Sequence, residues 1–223
     1  MKTYRLLILT LLAIITTSCG DDIPYNDRAA LYDIVTFDGP EEEGVVFSFQ
    51  QVNDSPIIHL VARGITLDEQ TARKGQRLLI GYYPISGKAY VSDQIELIGY
   101  SQVYQNQVIT TSSDKITGWD KNAIWLNSIW RSGMFLNLNL RADQAGSSRR
   151  FELIADQSTI NDPMPHLYIA HDLLGNPENY SRQIYASFDL SPVWNLNSCK
   201  GVIVHINDSN LKQDTYTFTK TDN

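Results

Sequence analysis

Cysteine is almost absent from this chain of 223 residues: only Cys19 and Cys199 occur. A disulfide-stapled scaffold and a multi-cysteine zinc site are therefore excluded. Charged residues make up only 19% of the chain, below the roughly 25% of an average domain. Cations are the scarcer sign, 18 Lys and Arg against 25 Asp and Glu, for a formal charge of −7. No stretch is basic and aromatic together, so the sequence points to no nucleic-acid partner. The main apolar run, Leu6 to Ile15, falls short of the ~20 residues that a membrane-spanning helix needs. Catalytic signatures are missing too. There is no Gly-x-Ser-x-Gly elbow, no His-Glu-x-x-His, no Cys-x-x-Cys, no glycine-rich phosphate loop and no Asp-x-Asn-x-Asp calcium loop.

The beginning of the chain is the most readable part. Lys2 and Arg5 precede the apolar run, and Thr16-Thr17-Ser18 then lead to Cys19. Charge, apolar segment and small residues in this order form a secretory signal. The cysteine placed directly after them resembles the lipobox of bacterial lipoproteins. The resemblance implies cleavage before Cys19, lipidation of its sulfur and acylation of its new amine. Residues 1–18 are then a leader, and residues 19–29, polar and proline-containing, a tether. Two or three acyl chains hold stably, since each buried methylene is worth ~0.8 kcal/mol. The partner implied is a lipid bilayer, and the implied location is the outer membrane of a Gram-negative bacterium. Gly20-Asp21-Asp22 resembles the signal that exports some such lipoproteins to the outer surface; a solvated tether reads equally well. Cys199 is left as an unpaired thiol with no base nearby in sequence.

What is abundant is aromatic: Tyr (12), Phe (7) and Trp (4), residues that favour strands. From Ala30 onward, short alternating runs are separated by Gly and Pro turns. Leu31 to Phe37, Phe47 with Phe49, and Ile58 with Leu60 and Ala62 read as strands, as do Leu78 to Tyr83 and Ile95 with Leu97. Gly39 to Gly44 reads as a turn with an acidic tip, and Thr66 to Arg73 as one or two helical turns. Five strands with one short helix suit a small OB-like barrel over residues 30–110, with an immunoglobulin-like sandwich as the rival. The polar stretch Thr110 to Asp114 marks a boundary. Beyond it, Leu136-Asn137-Leu138-Asn139-Leu140 alternates cleanly, as do Ile184 to Leu190 and Val202 to Ile206. Residues 115–220 therefore read as an antiparallel β-sandwich. The expected fold is all-β: an N-terminal OB-like barrel followed by a C-terminal antiparallel sandwich.

Several stretches together carry a family resemblance. They are Ile124 to Trp130, Pro165 to Asp172, Ala186 to Ser191, Lys74 to Ile80 and Asp93 to Tyr104. With the lipobox, they make the chain similar to the NigD-like lipoproteins. The resemblance implies an OB-like domain joined to a β-sandwich, and supplies no catalytic residues. The family takes its name from a gene beside a bacteriocin operon, where an immunity role was proposed.

Candidate chemistry is thin. His166 and His171 are five residues apart and face opposite ways on a strand; His59 and His205 stand alone. No metal ligands, cofactor or catalytic residues are assigned. Trp125 and Trp130 are also an odd number apart, which on a regular strand separates them to opposite faces. Trp119, Trp194 and Tyr180 are the candidate ligand-contact aromatics, because a tryptophan beside Asn or Asp can stack on a sugar ring; Trp125, Trp130, Tyr168 and Tyr185 lie in the same region. The expected function is a membrane-anchored, non-catalytic binding or assembly module of the cell envelope, with envelope proteins or glycans as partners. The alternatives are a glycan-binding or carbohydrate-processing accessory protein and a bacteriocin-immunity-type protein.

Overall fold

A computed structural model describes residues 29–42, 44–144, 149–176 and 180–220. The expected leader (1–18), Cys19 and most of the expected tether (19–29) lie outside the described residues. Five strands, β1 (Leu31–Glu41), β2 (Gly44–Phe49), β3 (Ile58–Arg63), β4 (Arg77–Pro84) and β5 (Asp93–Gln102), close into a barrel in the order β1-β2-β3-β5-β4. Period-2 alternation drives this closure. Val35, Phe37, Phe47, Leu60, Leu78, Ile80 and Tyr82 all point inward and pack in one cluster, each worth roughly 1.5–3 kcal/mol on burial. The single parallel pairing, β3 with β5, completes the OB-type order.

Two local expectations change. Gly39-Pro40-Glu41 belongs to β1, which continues past a bulge at Phe37/Gly39. Thr66 to Arg73 forms no helix. Asp68 organises it instead, its carboxylate accepting from Gln70 N at 2.9 Å and its carbonyl from Thr71 N and Ala72 N at 3.0 and 2.8 Å. A side chain that competes for nearby backbone N–H groups favours turns over helix. Ile65, Leu67 and Ala72 pack against the barrel core from this segment.

The second half stacks two sheets. One has the order β14-β13-β11-β10-β7, the other β6-β12-β9-β8. Their strands are β6 (Tyr104–Gln107), β7 (Ile109–Thr111), β8 (Trp125–Ser132), β9 (Phe135–Gln144), β10 (Arg150–Asp156), β11 (His166–Asp172), β12 (Tyr180–Asp189), β13 (Gly201–Ile206) and β14 (Thr215–Thr219). Single helical turns α1 (Ser113–Ile116) and α2 (Ser191–Trp194) sit at the ends. Leu138, Leu140, Phe151, Leu153, Phe188 and Val204 fill the space between the sheets.

The sandwich is mixed, not purely antiparallel. β6 with β12, β7 with β10, and β11 with β13 run parallel. β6 precedes the expected boundary and β7 runs into it, yet both pair with sandwich strands. Val108 alone separates them, and each adds to the edge of a different sheet.

Only Val103, itself buried, lies between β5 and β6. Two buried arginines fasten the barrel to the sandwich. Arg131 donates to the Asp54 carboxylate from both terminal guanidinium nitrogens, at 2.9 and 2.6 Å, and lies over the Trp194 ring at 4.5 Å. Around this pair Asn53 N donates to Arg131 O at 2.6 Å and Gly133 N to Asn53 O at 2.7 Å. Arg77, on β4, donates to Ser187 Oγ and Asn137 Oδ1, each at 3.2 Å, and to Thr36 Oγ1 at 3.0 Å. It sits over the Phe135 ring at 4.4 Å. Burial lowers the Arg77 pKa to about 10, so it remains charged at neutral pH.

Candidate functional site

The outward face of the four-stranded sheet has two halves. Ser132, Asn137 and Ser187 lie in the half covered by the barrel, where Arg77 bonds to Asn137 and Ser187. The other half is open. It is built from Trp125, Asn127, Ser128 and Trp130 of β8, Asn139 and Arg141 of β9, and Gln183 and Tyr185 of β12.

A bulge creates this face. Leu126 pairs with Leu140 and Ile129 with Leu138, so two inward residues are three apart. The extra residue at Asn127/Ser128 resets the alternation. Trp125 then pairs with Arg141, and Trp130 with Asn137. Arg141 and Asn137 are four apart on a regular strand and share a face. Both tryptophans therefore project outward, against the expectation from their odd spacing. The signal for this lies in the sequence, in the two consecutive polar residues between Leu126 and Ile129.

The open half combines apolar rings with amides. Trp125 is 48% exposed; Trp130 and Tyr185 are half-buried. Among the described residues none of the three stacks on another ring. Asn139 Oδ1 accepts from Asn127 Nδ2 at 3.2 Å and from Gln183 Nε2 at 3.1 Å, and Gln183 Nε2 also lies 3.1 Å from the Tyr185 hydroxyl. An uncovered indole next to a ladder of amides can hold a ring that is apolar on its face and polar at its rim.

The sequence-derived candidates fare differently. Trp194 is only 4% exposed, beneath Arg131 and Lys220, and belongs to the core. Trp119 is half-buried and packs on Tyr168, with ring centres 5.2 Å apart. Tyr180 is 55% exposed at the start of β12. Cys19 lies outside the described residues. The buried Cys199 thiol donates to Gly201 O at 3.2 Å.

The histidines also regroup. His166 and His171 do face opposite ways. His205, however, is not alone. Its Nε2 lies 2.9 Å from His166 Nδ1, and its ring stacks on both His166 and Tyr168. Their neighbour came from a strand 39 residues away, beyond any local spacing. These rings cover each other's faces and leave mainly their edges for a ligand. Burial and the neighbouring His166 lower the His205 pKa. Among the described residues no group of three or more His, Cys, Asp or Glu is placed to hold a metal ion.

Comparison with known proteins places the chain. The NigD-like C-terminal beta sandwich domain matches residues 106–220, more than half of its length. The chain belongs to the NigD-like family. The NigD-like match begins inside β6, in agreement with the sheet pairing. Solved structures extend the likeness to the barrel. A Bacteroides vulgatus protein of unknown function, DUF1344, is 15% identical with a TM-score of 0.65, covering 87% of this chain and 92% of its own. A Bacteroides fragilis protein described as a candidate lipoprotein is 12% identical with a TM-score of 0.58, covering 86% of this chain and 99% of its own. A NigD-like immunity protein from Bacteroides caccae is 14% identical with a TM-score of 0.56, covering 87% and 94%. At these identities the likeness is one of fold. No curated protein matches this NigD-like chain.

Proposed function

We propose that this NigD-like protein is a lipid-anchored, non-catalytic binding module of the outer membrane, and that the open half of the four-stranded sheet binds glycan. The observation that carries the glycan reading is the alignment of Trp125, Trp130 and Tyr185 on one face. The C–H face of a sugar ring matches an uncovered indole, and its hydroxyls match the amides of Asn127, Asn139 and Gln183.

Replacing Trp125 with Ala removes the largest exposed ring while leaving the core intact. On a glycan array the variant is expected to lose the parent signal, with its thermal midpoint within a few degrees of the parent. Retention of the full signal would sink the reading. Anchoring is supported by the lipobox around Cys19 and by the description of the Bacteroides fragilis relative. Cys19→Ala is expected to release the protein from membrane fractions and abolish palmitate labelling; labelling that persists refutes the anchor.

An immunity role is the second reading, favoured by the description of the Bacteroides caccae relative. It requires a protein ligand. Binding that is destroyed by protease treatment of the bound material, and survives glycosidase treatment, would favour it over glycan.

A further inference from the structure

Where the open face meets the barrel there is a cleft of about 380 Å³. Leu79 and Ser101 line it from the barrel, and Tyr104, Arg149, Arg182 and Tyr185 from the sandwich. Two guanidinium groups thus share one cleft, and none of the described carboxylates pairs with either. Arg149 lies over the Phe151 ring at 5.3 Å, and its Nη1 is buried without a hydrogen-bond partner. Burial lowers the Arg149 pKa most; the Tyr104 phenol opposes this, and the like charge of Arg182 adds to it.

Folding gains little from such an arrangement. Like charges repel, and a buried N–H without an acceptor is penalised. Elsewhere this chain gives its buried arginines acceptors, Asp54 for both terminal nitrogens of Arg131, whose Nε alone stays without one, and a set of neutral acceptors for Arg77. An anion between Arg149 and Arg182 would remove both penalties, and guanidinium groups hold carboxylates and sulfates through paired N–H donors. The edge of β12 is also open here. β6 pairs with it only from Ala186 to Asp189, so among the described residues Arg182 to Tyr185 have a strand neighbour on one side only.

We propose that this cleft binds the carboxylate or sulfate of an acidic glycan whose sugar rings lie across Tyr185 and Trp125. The proposal rests on the glycan reading of the open face and specifies its ligand. Gln183 and Tyr185 belong to both cleft and face. Trp125 lies two strands from β12, about 10 Å at ordinary strand spacing.

The test is titration calorimetry of the full chain with four hexasaccharides: cellohexaose, hexagalacturonate, chondroitin 4-sulfate and unsulfated chondroitin. At least one acidic probe should bind about 10-fold or more tightly than cellohexaose, and weaken as NaCl rises from about 50 to about 500 mM. Arg182→Gln and Arg149→Gln should each weaken that binding about 10-fold and leave cellohexaose unaffected. Binding of hexagalacturonate assigns the carboxylate; binding of the chondroitin 4-sulfate probe that is lost with the unsulfated chondroitin hexasaccharide, which keeps the glucuronate carboxylates, assigns the sulfate. Should Arg149→Gln fail to fold by circular dichroism, Arg182→Gln, at an exposed position, decides by itself. Equal affinity for neutral and acidic probes, or acidic binding unchanged in the arginine variants, overturns the cleft proposal. If Trp125→Ala then still abolishes binding, the face reading survives without the cleft. The converse result, acidic binding lost in Arg182→Gln but unchanged in Trp125→Ala, keeps the anion site and removes the sugar-stacking face. No binding of any probe at millimolar concentration removes both.

Discussion

His171 couples stability to pH. It is buried on the inward side of β11, edge-on to Phe151, and neither ring nitrogen makes a hydrogen bond of good geometry. Burial, and then the charge of Arg149, lower its pKa from the ordinary 6.5; the Asn122 and Ala123 backbone and Asp143 pull weakly the other way. With the folded pKa below the unfolded one, the unfolded chain binds more protons between the two values. Stability therefore rises with pH across that window. The contribution is complete above about pH 6.5 and is lost as pH falls through the folded value. His205 shifts in the same direction for the same first reason. Thermal unfolding followed from pH 7 to pH 5 should show a falling midpoint in the parent. His171→Phe should flatten that slope, leaving a remainder from His205. An identical slope in the variant would show that His171 does not titrate with unfolding.

At the scale of elements, the bulge in β8 controls the chemistry of the sheet. Deleting Asn127 restores strict alternation and keeps both faces: with Ile129 and Leu138 in register, Ser128 still meets Asn139, Leu126 meets Leu140 inside and Trp125 meets Arg141 outside. The deletion should therefore leave the core filled and Trp125 outward, removing only the amide that Asn127 brings to Asn139. On a regular strand without the bulge, the same deletion would instead turn Leu126 and Trp125 over. Iodide quenching of tryptophan fluorescence gives the readout: quenching should be the same in parent and deletion variant, and a clear change contradicts the bulge. The same element shows where the sequence was readable. Leu136, Leu138 and Leu140 announced β9 because every second residue is apolar and every one is buried. β8 misled because one inserted residue reverses every side chain after it. β6, Tyr-Gln-Asn-Gln, was hidden for another reason. It is a polar edge strand whose partner lies about eighty residues away, and alternation carries no information on strand direction. The open face and the arginine cleft share this limit, since each assembles residues from strands distant in sequence.

Across the whole molecule, the two halves are coupled through buried charge. Arg131 is 1% exposed and its carboxylate partner comes from the barrel. Separating the halves would strip that guanidinium of its counter-charge while the sandwich core still encloses it. Breaking one side of a buried pair costs about 3–5 kcal/mol; because the Asp54 side chain is half exposed, about 2–3 kcal/mol is the better scale here. The full chain should therefore unfold in one calorimetric transition. A fragment spanning residues 104–220 should fold with a lower midpoint, and Asp54→Ala in the full chain should reproduce part of that loss. A fragment starting at residue 115 should behave far worse. It lacks β6 and β7, so it uncovers the edges of β12 and β10, and exposed strand edges template aggregation. Limited proteolysis provides an independent check. Thr110 and Thr111 are paired with Ala155 and Asp156, so residues 110–114 should resist cleavage while the chain is folded. Two separated transitions in the full chain, or equal solubility of the two fragments, would mean that the halves are independent and that the arginine contacts merely accompany their packing.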